Sequence, residues 1–197
     1  GITSGTPRVF SGSGNVSWRH NQKYNGVSDL SGNINEWVTG LRFVGSEIQV
    51  IENNNAAIST TDMSDASTSW KAIDAVTGQL ITPNGTGTTP TSVKIATSGT
   101  ADYTLVVAAN TGLSTMTNSG ANPVSSVAIA KLKALGIYPM LNTNSRILLP
   151  AAGAIGNVLR GGIWTEGISA GIYRYRADLA KTIVSNNIGS RLAYYTP

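Results

Sequence analysis

The sequence predicts an α+β fold of short strands, few helices and much irregular loop. Three observations carry this. First, hydrophobic residues make up 41% of the 197-residue chain, enough for a real core, but charged residues only 12%, about half the usual share. Asn, Ser, Thr and Gly stand in for charge, a composition that favours turns and loops. Second, the strand-like runs are short and bounded by Gly, Pro or Asn. Third, helical periodicity extends over a single stretch.

Taken in order, residues 1–26 are rich in Gly, Ser and Asn, with Val16 and Trp18 as anchors. The segment DLSGNINEWVTG (Asp29–Gly40) holds a tight turn at Gly32-Asn33, then apolar Ile34, Trp37 and Val38. Leu41–Ile51 reads as a hairpin about Gly45-Ser46. Residues 53–70 read as irregular, and residues 82–92 (TPNGTGTTPTS) as the strongest loop. Strand-like runs surround that loop at Gln79–Ile81, Val93–Ala96 and Tyr103–Ala108. Asn122-Pro123 opens the helix, Val124, Val127, Ala128, Leu132 and Leu135 repeat at its period, and Gly136 stops it. Short strands come next at Arg146–Leu149, Leu159–Trp164, Ile172–Arg176 and Ile188–Tyr194. The reading as a whole is strand-poor.

Composition narrows the function classes. There is no cysteine and a single histidine. Disulfides, thiolate metal sites, cysteine nucleophiles and multi-histidine metal centres are thereby excluded. A calcium or magnesium ion held by carbonyls and carboxylates stays open, although the Asp62/Asp65 pair lacks EF-hand spacing. The net charge of +4 comes from dispersed basic residues, not the stripe of a nucleic-acid protein. No apolar run approaches the roughly 18–20 residues of a membrane span. No phosphate-loop or dinucleotide fingerprint is present.

GISAG (Gly167–Gly171) fits the G-x-S-x-G pattern of a nucleophile elbow. The pattern needs a helix after the serine and a histidine downstream in the chain. The residues after Ser169 alternate like a strand, and His20 lies upstream. Ser169 is therefore not expected to be a nucleophile. His20 and Glu36 read better as hydrogen-bonded structural residues than as catalytic ones. No cofactor, metal site or enzymatic activity is expected.

Two stretches carry a resemblance. DLSGNINEWVTGLR (Asp29–Arg42), with EIQVIENNNAA (Glu47–Ala57) close behind, precedes LRGGIWTEGISAGIYRYRADLAKTIVSNNIGSRLA (Leu159–Ala193). Together they resemble the formylglycine-generating-enzyme type of C-type lectin fold, and within it the variable proteins of diversity-generating retroelements. The resemblance implies one C-type lectin-like domain over 1–197, an insertion at about 71–150 and a variable region at 159–193. It also implies an upstream strand and helices, so the N-terminal part of the fold is expected from a preceding segment or another chain. The family's enzymes use a cysteine pair or several histidines, which this chain lacks, so binding is the implied function.

In that family adenine-directed reverse transcription rewrites the C-terminal segment. The framework positions would be Arg160, Gly161, Gly162, Trp164, Gly167, Ala170, Gly171, Asn187, Ile188, Gly189 and Arg191. The ligand-binding, variable positions would be Ile163, Thr165, Glu166, Ser169, Tyr173, Tyr175, Arg176, Asp178, Ile183 and Ser185. Their mixed chemistry, with Tyr and Arg prominent, suits a paratope. Strand alternation places Tyr173 and Tyr175 on one face of Ile172–Arg176, with Ile172, Arg174 and Arg176 on the other; one face should pack and the other display its side chains, and the two tyrosines read alternatively as core. The expected ligand is a protein or glycan on a cell surface, and the expected location is a virion or cell surface. No nucleic-acid partner or membrane span is expected, and a homo-oligomer is compatible. Two other readings fit the same residues: a structural virion or surface protein whose tail only packs against a neighbour, and a degenerate enzyme of the same superfamily.

Overall fold

The computed structural model describes residues 9–108, 112–140 and 144–190. Among these residues ten strands form one mixed sheet, with a single α-helix beside it. Along its main path the order is β4-β3-β2-β1-β8-β9-β7. The strands are β1 (Asn35–Val44), β2 (Glu47–Ile51), β3 (Trp70–Ile73), β4 (Leu80–Ile81), β5 (Lys94–Ala96), β6 (Thr104–Val106), β7 (Ile147–Leu148), β8 (Ile155–Gly161), β9 (Gly171–Arg176) and β10 (Ile188–Ser190). The α+β class is as the sequence predicts, but the chain is not strand-poor. The missed pairings join residues far apart in the chain, and two- or three-residue strands leave no periodic signal.

The hairpin forms as its pattern predicts. β1 and β2 pair antiparallel, with Phe43 opposite Ile48, about Gly45 at φ +56°. A buried polar ladder holds it in register. Arg42 lies 4.3 Å over the Trp70 ring and donates to Gln49 Oε1 at 2.8 Å. Gln49 Nε2 donates to Glu47 Oε1 at 2.8 Å, and Glu47 Oε2 accepts from Thr89 N at 3.0 Å and Ser92 Oγ at 2.6 Å. Every member is satisfied, which is what makes burial of a carboxylate tolerable.

The helix α1 (Ser126–Ala134) is capped by Ser125, whose side chain accepts from Ala128 N. It ends at Gly136, whose φ of +64° suits a glycine C′ stop. Ala128 and Leu132 face the core. The 71–150 stretch contributes most of β3, all of β4–β7 and α1 to the same sheet and core. Its Ile73, Val93, Ile95, Leu105, Leu113, Leu132 and Ile137 are fully buried with Phe43, Ile48 and Val158. Residues 53–69 contain only a 3-10 turn (Asn55–Ala57), as expected of a polar segment. The expected strand at Ile188–Tyr194 is β10 as far as Ser190, and its remainder lies outside the described residues.

Candidate functional site

Both segments that carry the resemblance meet at one end of the sheet. β1 pairs antiparallel with β8, Glu36 opposite Arg160 and Trp37 opposite Leu159. It also pairs parallel with β10, Asn35 opposite Ile188 and Glu36 opposite Gly189. The turn before β1 grips the loop after β8: Gly32 N donates to Gly161 O at 3.0 Å, and Trp164 N to Asn33 O at 3.2 Å. The motifs GN-x-x-EWV, RGG-x-W and NIG are thus parts of one junction.

That junction holds out the loop 162–170. Gly161 and Gly162 have φ of +88° and +85°, backbone that L side chains rarely adopt. A Cβ at Gly162 would stand 2.9 Å from Arg174 Cδ, and one at Gly171 2.3 Å from Ser145 Oγ. The loop is braced from below by Glu166. Its Oε2 accepts from Ile163 N at 2.8 Å, and its Oε1 forms an ion pair with the Arg174 guanidinium. Arg174 is 0% exposed, and its Nε and Nη1 have no partner among the described residues. Burial, the main cause, lowers the Arg174 pKa, and Arg146 and Arg176 push the same way against Glu166.

The ten predicted ligand-binding residues divide. Thr165, Asp178 and Ile183 are exposed, while Ile163, Glu166, Ser169, Tyr173, Arg176 and Ser185 are half-buried. Tyr175 is the correction. It is 0% exposed, its ring lies 4.3 Å from the Arg160 guanidinium, and its hydroxyl donates to Gly136 O. It belongs to the core and cannot belong to a displayed surface. The expected faces of β9 are also corrected. Ile172 is 58% exposed while Tyr173 packs against the core, and Arg174 and Tyr175 are both buried. Simple alternation fails because β9 pairs irregularly with β8, its register breaking between Arg160 and Gly161, and because the adjacent residues Arg174 and Tyr175 are both buried.

The remaining positions do not form one patch with the loop. Arg176 closes β9 opposite Leu159 and pairs with Asp178 at 2.9 Å. Ser185 returns to the junction, where Ile188 N donates to Ser185 O and Asn35 N to Asn187 O. Sequence reasoning missed Ile168, 78% exposed, and Ile172 as displayed residues, and it assigned Trp164, 41% exposed, to the framework.

Beside the loop lies a groove of about 630 Å³. Leu30, Ile34, Trp37 and Ile172 form its apolar wall, with Asp29 and Glu36 also lining it. A second cavity, about 520 Å³, sits at the hairpin around Gly45 and Pro150.

The elbow pattern has a different local geometry. Gly167–Ser169 is one 3-10 turn that leads into strand β9, with no helix after it. His20 Nδ1 accepts from Val27 N at 2.9 Å within the N-terminal arm. Among the described residues the Ser169 hydroxyl has no hydrogen-bond partner, while the Ser169 N–H and carbonyl are held by Glu166 O and Arg146 N. Replacing Ser169 with Ala is therefore expected to change stability by less than about 1 kcal/mol. A larger loss on urea unfolding would contradict its place on the displayed loop. Among the described residues no group of three or more His, Cys, Asp or Glu is placed to hold a metal, and no helix is long and apolar enough to cross a membrane.

The sequence matches no protein-family model, and no curated protein was found that matches it. The functional reading therefore rests on the residues and their arrangement.

Proposed function

We propose that this protein is a ligand-binding module of the C-type lectin type, a variable protein of a diversity-generating retroelement, that recognises a protein or glycan on a cell surface from a virion or cell surface. No chemistry is performed. One observation carries the reading: the three resemblance motifs converge on a rigid junction that projects a short loop of mixed side chains. Thr165, Ile168 and Ile172 point to solvent there, with Trp164 beside them. The positive-φ glycine turns and the bonds of Glu166 to Ile163 N and Arg174 restrain the loop, which lowers the entropy to be lost on binding. Exposed side chains on such a frame can be exchanged without unfolding it, which is the property a diversified binder needs.

Two measurements test this. The DNA beside the coding sequence should hold a near-repeat of the stretch for Leu159–Ala193, differing at adenines, next to a reverse-transcriptase gene. A fully sequenced locus without either would remove the retroelement reading. Separately, a library randomised at Thr165, Ile168 and Ile172 should keep most members within about 0.5 kcal/mol of the parent, as exposed positions do. General unfolding of that library would sink the display reading.

A further inference from the structure

The chain holds two Asn-Gly pairs, Asn25-Gly26 and Asn84-Gly85. Glycine has no side chain to hinder its own nitrogen. Asn-Gly is therefore where a backbone amide attacks the preceding side-chain carbonyl most easily. The fold treats the two pairs differently. Gly26 is buried, and its N–H donates to Lys23 O at 2.9 Å. A Cβ at Gly26 would stand 2.0 Å from Asn21 Oδ1, so the backbone there is closely packed. Asn84, Gly85 and Thr86 are all exposed, and a Cβ at Gly85 would meet nothing within 4 Å. The Gly85 N–H has no hydrogen-bond partner among the described residues.

The Asn84 side chain is polarised by its neighbours. Its Oδ1 accepts from Thr86 N at 3.0 Å, Thr86 Oγ1 at 3.0 Å and Thr88 N at 3.3 Å. Its Nδ2 donates to Thr88 Oγ1 at 2.9 Å, and the two hydroxyls lie 2.8 Å apart. The loop is tied to the core beneath it: Asn84 N donates to Thr89 Oγ1, and Thr89 N to the buried Glu47. Three donors held on one carbonyl oxygen stabilise negative charge that develops there.

We propose that Asn84 is a self-modification site, at which the Gly85 nitrogen displaces the side-chain amide and water then leaves an aspartate or isoaspartate. Base from solvent removes the Gly85 N–H proton. The nitrogen bonds to Asn84 Cγ, and the charge moves onto Oδ1, where the three donors meet it. Collapse breaks the Cγ–Nδ2 bond, and Nδ2 takes a proton from water and leaves as ammonia. Water adds to either carbonyl of the five-membered imide and opens it. No oxidant, reductant or cofactor enters. The product carries its carboxylate beside Thr86 and Thr88, which line the cavity of about 520 Å³. At Asn25 the committed Gly26 N–H withholds the nucleophile, and the amide survives.

The test incubates the full chain at pH 8.5 and 37 °C and follows acid and isoaspartate at positions 84 and 25 by peptide mapping. Each rate is divided by that of the same pair in the chain unfolded in guanidinium, which removes the effect of local sequence. The ratio for Asn84 should exceed that for Asn25 at least tenfold. Thr86→Val removes one donor from an exposed side chain. It should slow Asn84 about tenfold at unchanged melting temperature, less than the roughly 100–1,000-fold of a donor in a dry enzyme site, because this loop is solvated. A structural role alone predicts the opposite, since loosening the loop would speed the reaction. Equal ratios at the two pairs, a higher ratio at Asn25, or a Thr86→Val chain that reacts as fast as the parent or faster would each overturn the proposal.

Discussion

Tyr175→Ala is expected to cost about 4 kcal/mol, as for other large buried aromatics, and to leave the chain marginally folded. Tyr175 is fully buried, stacks with Arg160 and donates to Gly136 O, the residue that ends α1. It ties β8, β9 and the helix terminus together. Tyr175→Phe keeps the ring and removes one of two hydrogen bonds to the Gly136 carbonyl, the one from Arg160 Nη1 remaining, for an expected loss of about 1 kcal/mol. The phenol also predicts an alkaline limit. Burial, the largest cause, pushes its pKa up to about 12. The folded state holds the proton more tightly than the unfolded chain. Its contribution is therefore intact below pH of about 10 and is lost as pH rises through 12, to the extent of about 2 kcal/mol. Urea unfolding of the wild type and Tyr175→Phe from pH 8 to 12 checks this. The variant should lose less stability than the wild type over that interval, and parallel curves would contradict the assignment.

Glu166→Ala is the second large effect, about 3 kcal/mol. Removing the carboxylate leaves the Arg174 charge fully buried and uncompensated, and breaking one side of a buried pair is costly. It also releases Ile163 N, so the loop should loosen locally before the sheet unfolds. Acrylamide quenching of Trp164 should rise, read in a background where the other tryptophans are replaced. The double variant Glu166→Met, Arg174→Met should recover most of the stability, because an apolar pair of similar volume often replaces a buried ion pair without loss. Failure of the double variant to recover any stability would show that the pair is not the source of the effect. Position 166 is therefore constrained in a way that Thr165 and Ile168 are not, although all three stand in the same loop.

How far the sequence was legible differs from element to element. The hairpin at Gly45-Ser46 and the helix ended by Gly136 were readable because their signals are local: a turn glycine between apolar runs, and a cap with a 3.6-residue period. The parallel pairing of Ile188 with Asn35 was not, since nothing near either residue encodes a partner some 150 positions away. The candidate site shows the same division. Glycines 161, 162 and 171 marked its turns correctly, while the side-chain directions of β9 were misread.

The sequence by itself determined the α+β class, the hairpin, the helix and its stop, and the glycine punctuation of the C-terminal segment. It also determined that the chain carries no cysteine and a single histidine. The tertiary structure alone decided that Tyr175 is core and Ile172 surface, that Glu166 braces the loop through Arg174, and that residues between Asp29 and Thr39 line a groove beside it. The reason is physical. Backbone conformation is set by neighbours within a few residues, but burial depends on what covers each face, and for β9 the covering strands and loop come from distant parts of the chain. GISAG illustrates both halves: its glycines were legible as turns, and only the fold places Ser169 on the loop with Glu166 beneath it.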